Sequence, residues 1–467
     1  MVGFLITFAS YSIGLLKPPS LAGGLSIAVP GEVAGYHYIH DRFGSLPWKE
    51  LFPPTIKMCR EGIRVNAHLA KVLERKEEYI IQLDGIKKVF VNNETNAVYK
   101  MGDIYTRNDL ADTLEDIAEE KSNAVYGPSK RATRLLNDLK AAGSIIEESD
   151  MRQYSPKNRK PIIKKLRHNM TLYSASTPGG GALLAFILTV LDGYKDFSVG
   201  KVLEDTVKSL HRMIETFKYA YARRTELEDS DLEDVKQLLM LLVSDEYADS
   251  IRKKIDDKRT YSPNHYGVNV TVHEDYGTSH VSIIAPNGDA VAVTSTINSK
   301  FGSMILSPST GILLNNEMDN FVTPNIVNLQ KVPPVRKNHI KPNKRPLSSM
   351  SPAIITDSNG NVMLIIGGSG GTQITTSVAQ VIMRTLRLGE DIKTAIDAPR
   401  FHHQLIPDNL ICEENFPNNL LVELSKKGHN LILGSGAVGI IIGIYRAKNG
   451  TLYANSDFRK GGAVDGF

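Results

Sequence analysis

The chain has 467 residues, 42% hydrophobic and 23% charged, a composition that suits one large well-cored unit or two to four ordinary domains. Its 55 Lys and Arg against 51 Asp and Glu leave a net charge of only +4, which gives no electrostatic case for nucleic acid; the basic cluster at 331–345 reads as a solvated loop. Two cysteines, Cys59 and Cys412, exclude a disulfide framework and a cysteine-rich metal centre, leaving at most one bridge that the sequence does not decide.

Residues 1–16 carry no charge. As a helix they would span about 24 Å, short of the roughly 30 Å bilayer core. No basic segment precedes them and no clear small-residue cleavage site follows, so a buried helix or an atypical start suits them as well as a signal-peptide core does. Up to about residue 260 the texture is mostly helical: 48–73, broken by Pro53 and Pro54, then 108–142 and 199–224. In the last of these Val202, Leu203, Val207, Leu210, Met213, Ile214 and Phe217 fall mostly three to four apart, an apolar stripe. Asp229 to Asp231 are expected to cap the next helical run. Four acceptor triplets, at Asn93, Asn169, Asn269 and Asn449, lean toward a secretory route.

Beyond about residue 268 β-rich segments take over. Three hairpins are expected: 280–285 with 290–297 around Asn287-Gly288, 353–356 with 362–366 around Asn359-Gly360, and 438–445 with 452–454 around Asn449-Gly450. A helix is expected at 374–388, and 323–345, with four prolines, reads as a mobile loop near a site. Helices in one region and strands in another predict an α+β layered architecture of antiparallel sheets covered by helices.

Several strings carry chemistry. In Asp275-Tyr276-Gly277-Thr278-Ser279-His280 an unhindered glycine carbonyl precedes a hydroxyl at the mouth of a strand. Attack by Thr278 on Gly277 would give an ester; its hydrolysis would free an α-amine able to serve as base for the same hydroxyl. A turn before a strand is the plain alternative. Thr294-Ser295-Thr296-Ile297-Asn298 returns toward Thr278 across the hairpin and can orient a nucleophile or simply pair threonines. Asn315-Asn316-Glu317-Met318-Asp319-Asn320 could clamp an ammonium group. Ser348-Ser349-Met350 is a second polar string, and Gly367-Gly368-Ser369-Gly370-Gly371-Thr372 joins a strand to a helix. No lysine follows those glycines, so the phosphate-loop pattern fails and an oxyanion site or a tight turn remains.

Together, in this order and spacing, the strings closely resemble the γ-glutamyltransferases (glutathione hydrolases) among the N-terminal-nucleophile hydrolases. The resemblance begins at Gly23-Gly24-Leu25-Ser26-Ile27-Ala28-Val29-Pro30-Gly31-Glu32 and ends at Asp457-Phe458-Arg459-Lys460-Gly461-Gly462. It implies a four-layer αββα fold and self-cleavage before Thr278. The chain then divides into a divergent hydrophobic N-terminus (1–22), a large-subunit part (23–277) and a small catalytic subunit (278–467). By the same resemblance Thr278 is the nucleophile and Thr296 its hydrogen-bond partner. Gly370 and Gly371 form the oxyanion hole, and Asn298, Glu317, Asn320, Ser348 and Ser349 hold the ends of the γ-glutamyl group. The loop before Pro342-Asn343-Lys344-Arg345-Pro346 resembles a lid, and His280 is given a structural role.

The implied reaction is γ-glutamyl transfer from glutathione and its S-conjugates, leukotriene C4 among them, to water, an amino acid or a dipeptide. No cofactor, metal or nucleic acid is implied, and the extracellular face of the plasma membrane or secretion is the expected location. Two departures stand out. Asn320 occupies a position that is acidic in the family, and residues 1–20 lack the arginine that the family's N-terminal region supplies for the substrate α-carboxylate. A folded but impaired homologue, or a truncated isoform acting in binding or dimerisation, is therefore the alternative reading.

Overall fold

A computed structural model describes residues 2–7, 23–229, 231–267, 277–321, 337–434 and 436–466. Nine strands form two facing sheets: β1 (Val2–Thr7), β2 (Ile162–Lys165), β3 (Thr171–Ser174), β4 (Thr278–Ile284), β5 (Ala290–Thr296), β6 (Ala353–Thr356), β7 (Val362–Ser369), β8 (Ile440–Arg446) and β9 (Leu452–Ser456). The larger sheet runs β9-β8-β7-β6-β3-β2, antiparallel throughout, and the smaller runs β1-β5-β4. Alternation along the strands sorts their side chains. Ile354 and Ile365 turn toward Ala290 and Ala292 of the small sheet, whereas Ala353, Ile355, Leu364 and Ile366 turn to the helices on the other side.

Those helices are α3 (Gly181–Asp192), α4 (Leu203–Arg224) and α5 (Gln373–Ile382), while α1 (Glu32–Phe43), which touches β1, and α2 (Ala67–Gln82) belong to the helical region of the opposite face. Helix α3 is apolar all round and buried from Gly181 to Leu191, as a helix sandwiched between a sheet and other helices must be. On α4 the expected stripe from Val207 to Phe217 is buried, but Val202 and Leu203 at its start are exposed. Helices within 32–153 pack on Phe301, Leu306 and Leu314, giving the helix–sheet–sheet–helix order.

Several expectations change. Pro53 and Pro54 open the helix Pro53–Glu61 rather than break one; the first turn needs no proline N–H. Asp229 and Asp231 do not cap: Leu232 is the N-cap of Glu233–Leu242, and both aspartates pair with Arg159. The 374–388 helix ends at Ile382 and finishes as a π turn over Met383–Arg387. The hairpin β2–β3 lies in the half read as helical; its turn holds His168 and Asn169 at φ 56° and 57°, which no Gly or Asn-Gly signal announces. Residues 2–7 form a strand, paired in parallel with β5, not a buried helix. A short apolar run fits either element, and the open edge of β5 decides it. Asn269 and the 323–336 part of the expected loop lie outside the described residues. Cys59 and Cys412 are separate buried thiols.

The C-terminal strap is held by buried charge. Arg400 and Asp457, 1% and 0% exposed, pair at 2.6 Å, and Asp457 also accepts from Ile441 N–H and Arg459. Removing one partner strands the other charge. Asp457→Ala should therefore lower the unfolding free energy by about 3–5 kcal/mol in urea titrations; a loss under about 1 kcal/mol would show that the pair is replaceable.

Candidate active site

The β4–β5 hairpin sets Thr278 opposite Thr296. Its register is fixed by the expected turn, where Gly288 sits at φ 88° and Asn287 Oδ1 accepts the Asp289 N–H at 3.0 Å. Thr278 is 2% exposed, and its hydroxyl donates to Thr296 Oγ1 at 3.0 Å. The preceding carbonyl, that of Gly277, accepts the Ile297 N–H at 3.1 Å and faces Thr296 Oγ1 at 3.4 Å. The candidate nucleophile and the carbonyl it would attack thus share one hydroxyl neighbour, and the carbonyl already has donors on its oxygen. Gly277 is needed for this approach, since a Cβ there would stand 2.1 Å from the Ser299 carbonyl oxygen.

His280 points into the sandwich between Thr294 Oγ1 and Ser282 Oγ, beneath Gly367, whose absent Cβ leaves room for its ring. Burial holds it neutral, with a pKa lowered to about 3, so it fills and ties the core as expected.

Next to Thr296 the chain turns at Asn298, φ +70°. Asn298 N–H donates to Thr296 Oγ1 at 2.9 Å and its Nδ2 to the Asn316 carbonyl at 3.0 Å. Asn320 Nδ2 donates to both Asn298 Oδ1 and Glu317 Oε2, at 3.0 and 3.1 Å. Two acceptors therefore converge on one donor group, the arrangement a substrate ammonium would meet. Beside them Asp319 accepts from Asn316 Nδ2, while burial pushes its carboxyl up to about 6.

A pKa raised above the unfolded value of about 3.9 means the protonated form suits the fold. Its contribution is complete below that value and is lost as pH rises through 6. Asp319→Asn should remove this loss, so that the melting temperature falls less between pH 5 and 7.5 than in the parent; parallel curves would refute the burial argument.

The serine pair is buried too. Ser348 N–H donates to the Pro178 carbonyl at 2.8 Å, and Ser351 and Thr375 hydroxyls both donate to the Ser349 carbonyl. Ser349 Oγ has no hydrogen-bond partner among the described residues, a vacancy that a ligand oxygen would fill. No hydrogen bond joins this pair to Thr278 among the described residues; it forms its own set.

Gly370 and Gly371 lie between β7 and α5 at φ +126° and +60°, and a Cβ on Gly370 would sit 2.9 Å from Gly439 Cα. Their carbonyls accept from Gln373 and Ile374 in the first helical turn. Lys460, part of the terminal motif but given no role by it, links the two halves of the site: Nζ donates to the Thr278 carbonyl at 2.7 Å and lies 3.5 Å from Ser369 Oγ. Thr296, Asn315 and Glu317 also border a cavity of about 680 Å³ in which Arg107 is held by the Gly311 carbonyl.

For a metal, one group among the described residues offers three ligand atoms within 4.8 Å: His211, Glu215 and His429. The two rings already hydrogen-bond each other at 2.8 Å, and Glu215 takes the hydroxyls of Thr260 and Tyr266, so the cluster is a buried polar tie. The basic cluster is likewise tied down where it is described. Lys337 pairs with Asp234, and Lys344 with Glu228.

Comparison with known proteins agrees with this geometry. The family model described as Gamma-glutamyltranspeptidase matches residues 11–467. Scoloptoxin SSD14 of Scolopendra dehaani is 43% identical over 96% of this chain and 78% of its own. Glutathione hydrolase proenzyme 1 of Schizosaccharomyces pombe is 38% identical over 94% and 70%, and mouse glutathione hydrolase 5 proenzyme 34% over 98% and 80%. Among solved structures, the cephalosporin acylase of Bacillus halodurans shares the fold, with a TM-score of 0.80 at 22% identity over 99% of this chain and 85% of that one. With its Thr278–Thr296 hairpin, polar pocket and glycine turn in place, and with the family model matching residues 11–467, the chain belongs to the γ-glutamyltranspeptidase family.

Proposed function

We propose that this protein cuts itself between Gly277 and Thr278 and then transfers γ-glutamyl groups from glutathione and related compounds to water or to an amino acid or dipeptide. The observation that carries this reading is the Thr278 hydroxyl, bonded to Thr296 Oγ1 beside a Gly277 carbonyl whose oxygen accepts the Ile297 N–H. In the first step Oγ1 attacks that carbonyl, the C–N bond breaks, and water releases the ester. The products are subunits 1–277 and 278–467, the second beginning with a free amine. In turnover this amine takes the Thr278 hydroxyl proton as Oγ1 attacks the γ-amide, then gives it to the departing cysteinylglycine. Water or an acceptor amine removes the acyl group by the reverse route.

In the substrate complex, Gly370 and Gly371 face the oxyanion, and Asn298, Glu317 and Asn320 take the α-ammonium. Ser348 and Ser349 take the α-carboxylate, the orphaned Ser349 hydroxyl being the vacant donor. Leukotriene C4, a glutathione S-conjugate, falls within the proposed substrate class. Location on the extracellular face of a membrane, or secretion, and modification as a glycoprotein complete the proposal. Asn93, Asn169 and Asn449 are all exposed, which favours glycosylation, while no helix of the described residues is long and apolar enough to cross a membrane.

A second reading, a folded but impaired homologue, draws on Asn320, whose amide supplies no charge to an ammonium. A denaturing gel and release of p-nitroaniline from γ-glutamyl-p-nitroanilide separate the two. Two bands with turnover support the transferase, two bands without turnover support the impaired homologue, and one uncut band refutes self-cleavage by this chain.

A further inference from the structure

We propose that Lys460 is a positioning residue that keeps the freed α-amine of Thr278 uncharged at neutral pH, so that it can act as a base. The inference rests on the self-cleaving reading above. An α-amine ordinarily titrates at about 7.7–8.0, and at pH 7 most of it would carry the proton it must be free to accept. A positive charge within a few ångströms disfavours the ammonium form and lowers that value. Lys460 supplies the charge: its Nζ stands 2.7 Å from the Thr278 carbonyl oxygen, and by backbone dimensions therefore no more than about 6 Å from the Thr278 nitrogen.

The lysine has little freedom to leave. Ser279 Oγ and Ser369 Oγ both lie 3.5 Å from Nζ. The main chain just before it is fixed by Asp457 and Arg459, which are locked to Arg400 and Glu413. The charged groups that interact with this lysine are Lys300, after β5, and His68 on α2; Lys71, Arg75 and Lys76 on α2 act in turn on Lys300, while His280 lies on β4 and Glu317 and Asp319 on the turn beyond Asn316. His280 is held neutral by burial. His68 is pushed down to about 4 by burial and then by Lys460, Lys300 and Lys71, so positive potential dominates on the lysine side. The carboxylates are engaged within their own turn, Glu317 accepting from Asn320 Nδ2 and Asp319 from Asn316 Nδ2. Burial, then Lys300, lowers the Lys460 pKa as well.

The test is a pH profile. Turnover of γ-glutamyl-p-nitroanilide by the processed protein should lose activity on the acid side only below pH 7. In Lys460→Met this acid limb should move up by about 1 pH unit, and Lys460→Arg, which keeps the charge, should hold it in place. A merely structural role would lower kcat at every pH without moving the limb, and that result would overturn the proposal. Self-cleavage, which occurs before any amine exists, should show no such displacement.

Where the methionine variant does not cleave, the parent protein gives the answer alone. Reductive methylation of the Thr278 amine with formaldehyde and cyanoborohydride, followed by mass spectrometry of the small subunit across pH, should titrate below 7. A value at 7.7–8.0 would refute the inference. This labelling needs cleavage but not turnover, so it separates failure of the inference from failure of the proposed transferase reaction.

Discussion

Thr278→Ala will leave one uncut polypeptide and no γ-glutamyl transfer above background, a loss of about 10⁴-fold or more. Both outcomes follow from one atom. The hydroxyl that donates to Thr296 Oγ1 beside the Gly277 carbonyl is the group that attacks it in the proposed reaction, where the same residue's nitrogen becomes the base only after that attack. Alanine removes the hydroxyl and the γ-methyl and leaves only a small cavity in the buried hairpin, so the fold should survive, as circular dichroism and a melting temperature lowered by no more than a few degrees would show. Thr278→Ser, which keeps the oxygen, should still cleave. Gly277→Ala tests the other side of the bond: its Cβ would press on the Ser299 carbonyl, displacing the scissile peptide from the hydroxyl. Cleavage should slow by orders of magnitude while Thr278 is intact. Rapid cleavage of the alanine variant would mean that the observed close approach is not the reactive one, and cleavage of Thr278→Ala would remove the nucleophile assignment altogether.

Two strings of the candidate site were readable because they lie at the ends of elements whose local signal is strong. Asn287-Gly288 fixes the register that brings Thr296 to Thr278, and the β7–α5 junction announces its glycines. What the strings could not convey is how they meet. That Asn320 uses its amide as a donor to both Asn298 and Glu317 depends on the turn conformation of Glu317–Asn320, and nothing in the composition of that run separates it from an ordinary turn. Lys460 escaped notice for a related reason: it acts 182 residues from Thr278, through a strap anchored by the Arg400–Asp457 pair, and no local periodicity marks it. In the fold, the β2–β3 hairpin was hidden because its turn uses His168 and Asn169 in place of glycine. Residues 2–7 were ambiguous because a short apolar run becomes a strand only when an open sheet edge is there to receive it.

Self-cleavage and turnover should separate at the glycine turn. In self-cleavage the oxygen that becomes negative is that of Gly277, which accepts the Ile297 N–H and faces Thr296 Oγ1 on the β5 side of the nucleophile. In the proposed turnover reaction the oxygen belongs to the substrate and would be held by the glycine turn, which begins at Ser369, where Lys460 also reaches the Thr278 carbonyl. A Gly370→Ala variant must hold a side chain at φ +126° with its Cβ 2.9 Å from Gly439 Cα, so the turn will shift and its amide groups will lose their aim. Losing one aimed donor costs about 10²–10³ in kcat in comparable acyl-transfer sites. The expected result is therefore a variant that still yields the two subunits on a gel, binds the γ-glutamyl substrate with a KM within a few-fold of the parent, and turns over about 10²–10³ times more slowly. Failure of self-cleavage in a folded Gly370→Ala protein would show instead that one oxyanion site serves both reactions, with the glycine turn swinging across Thr278 between them.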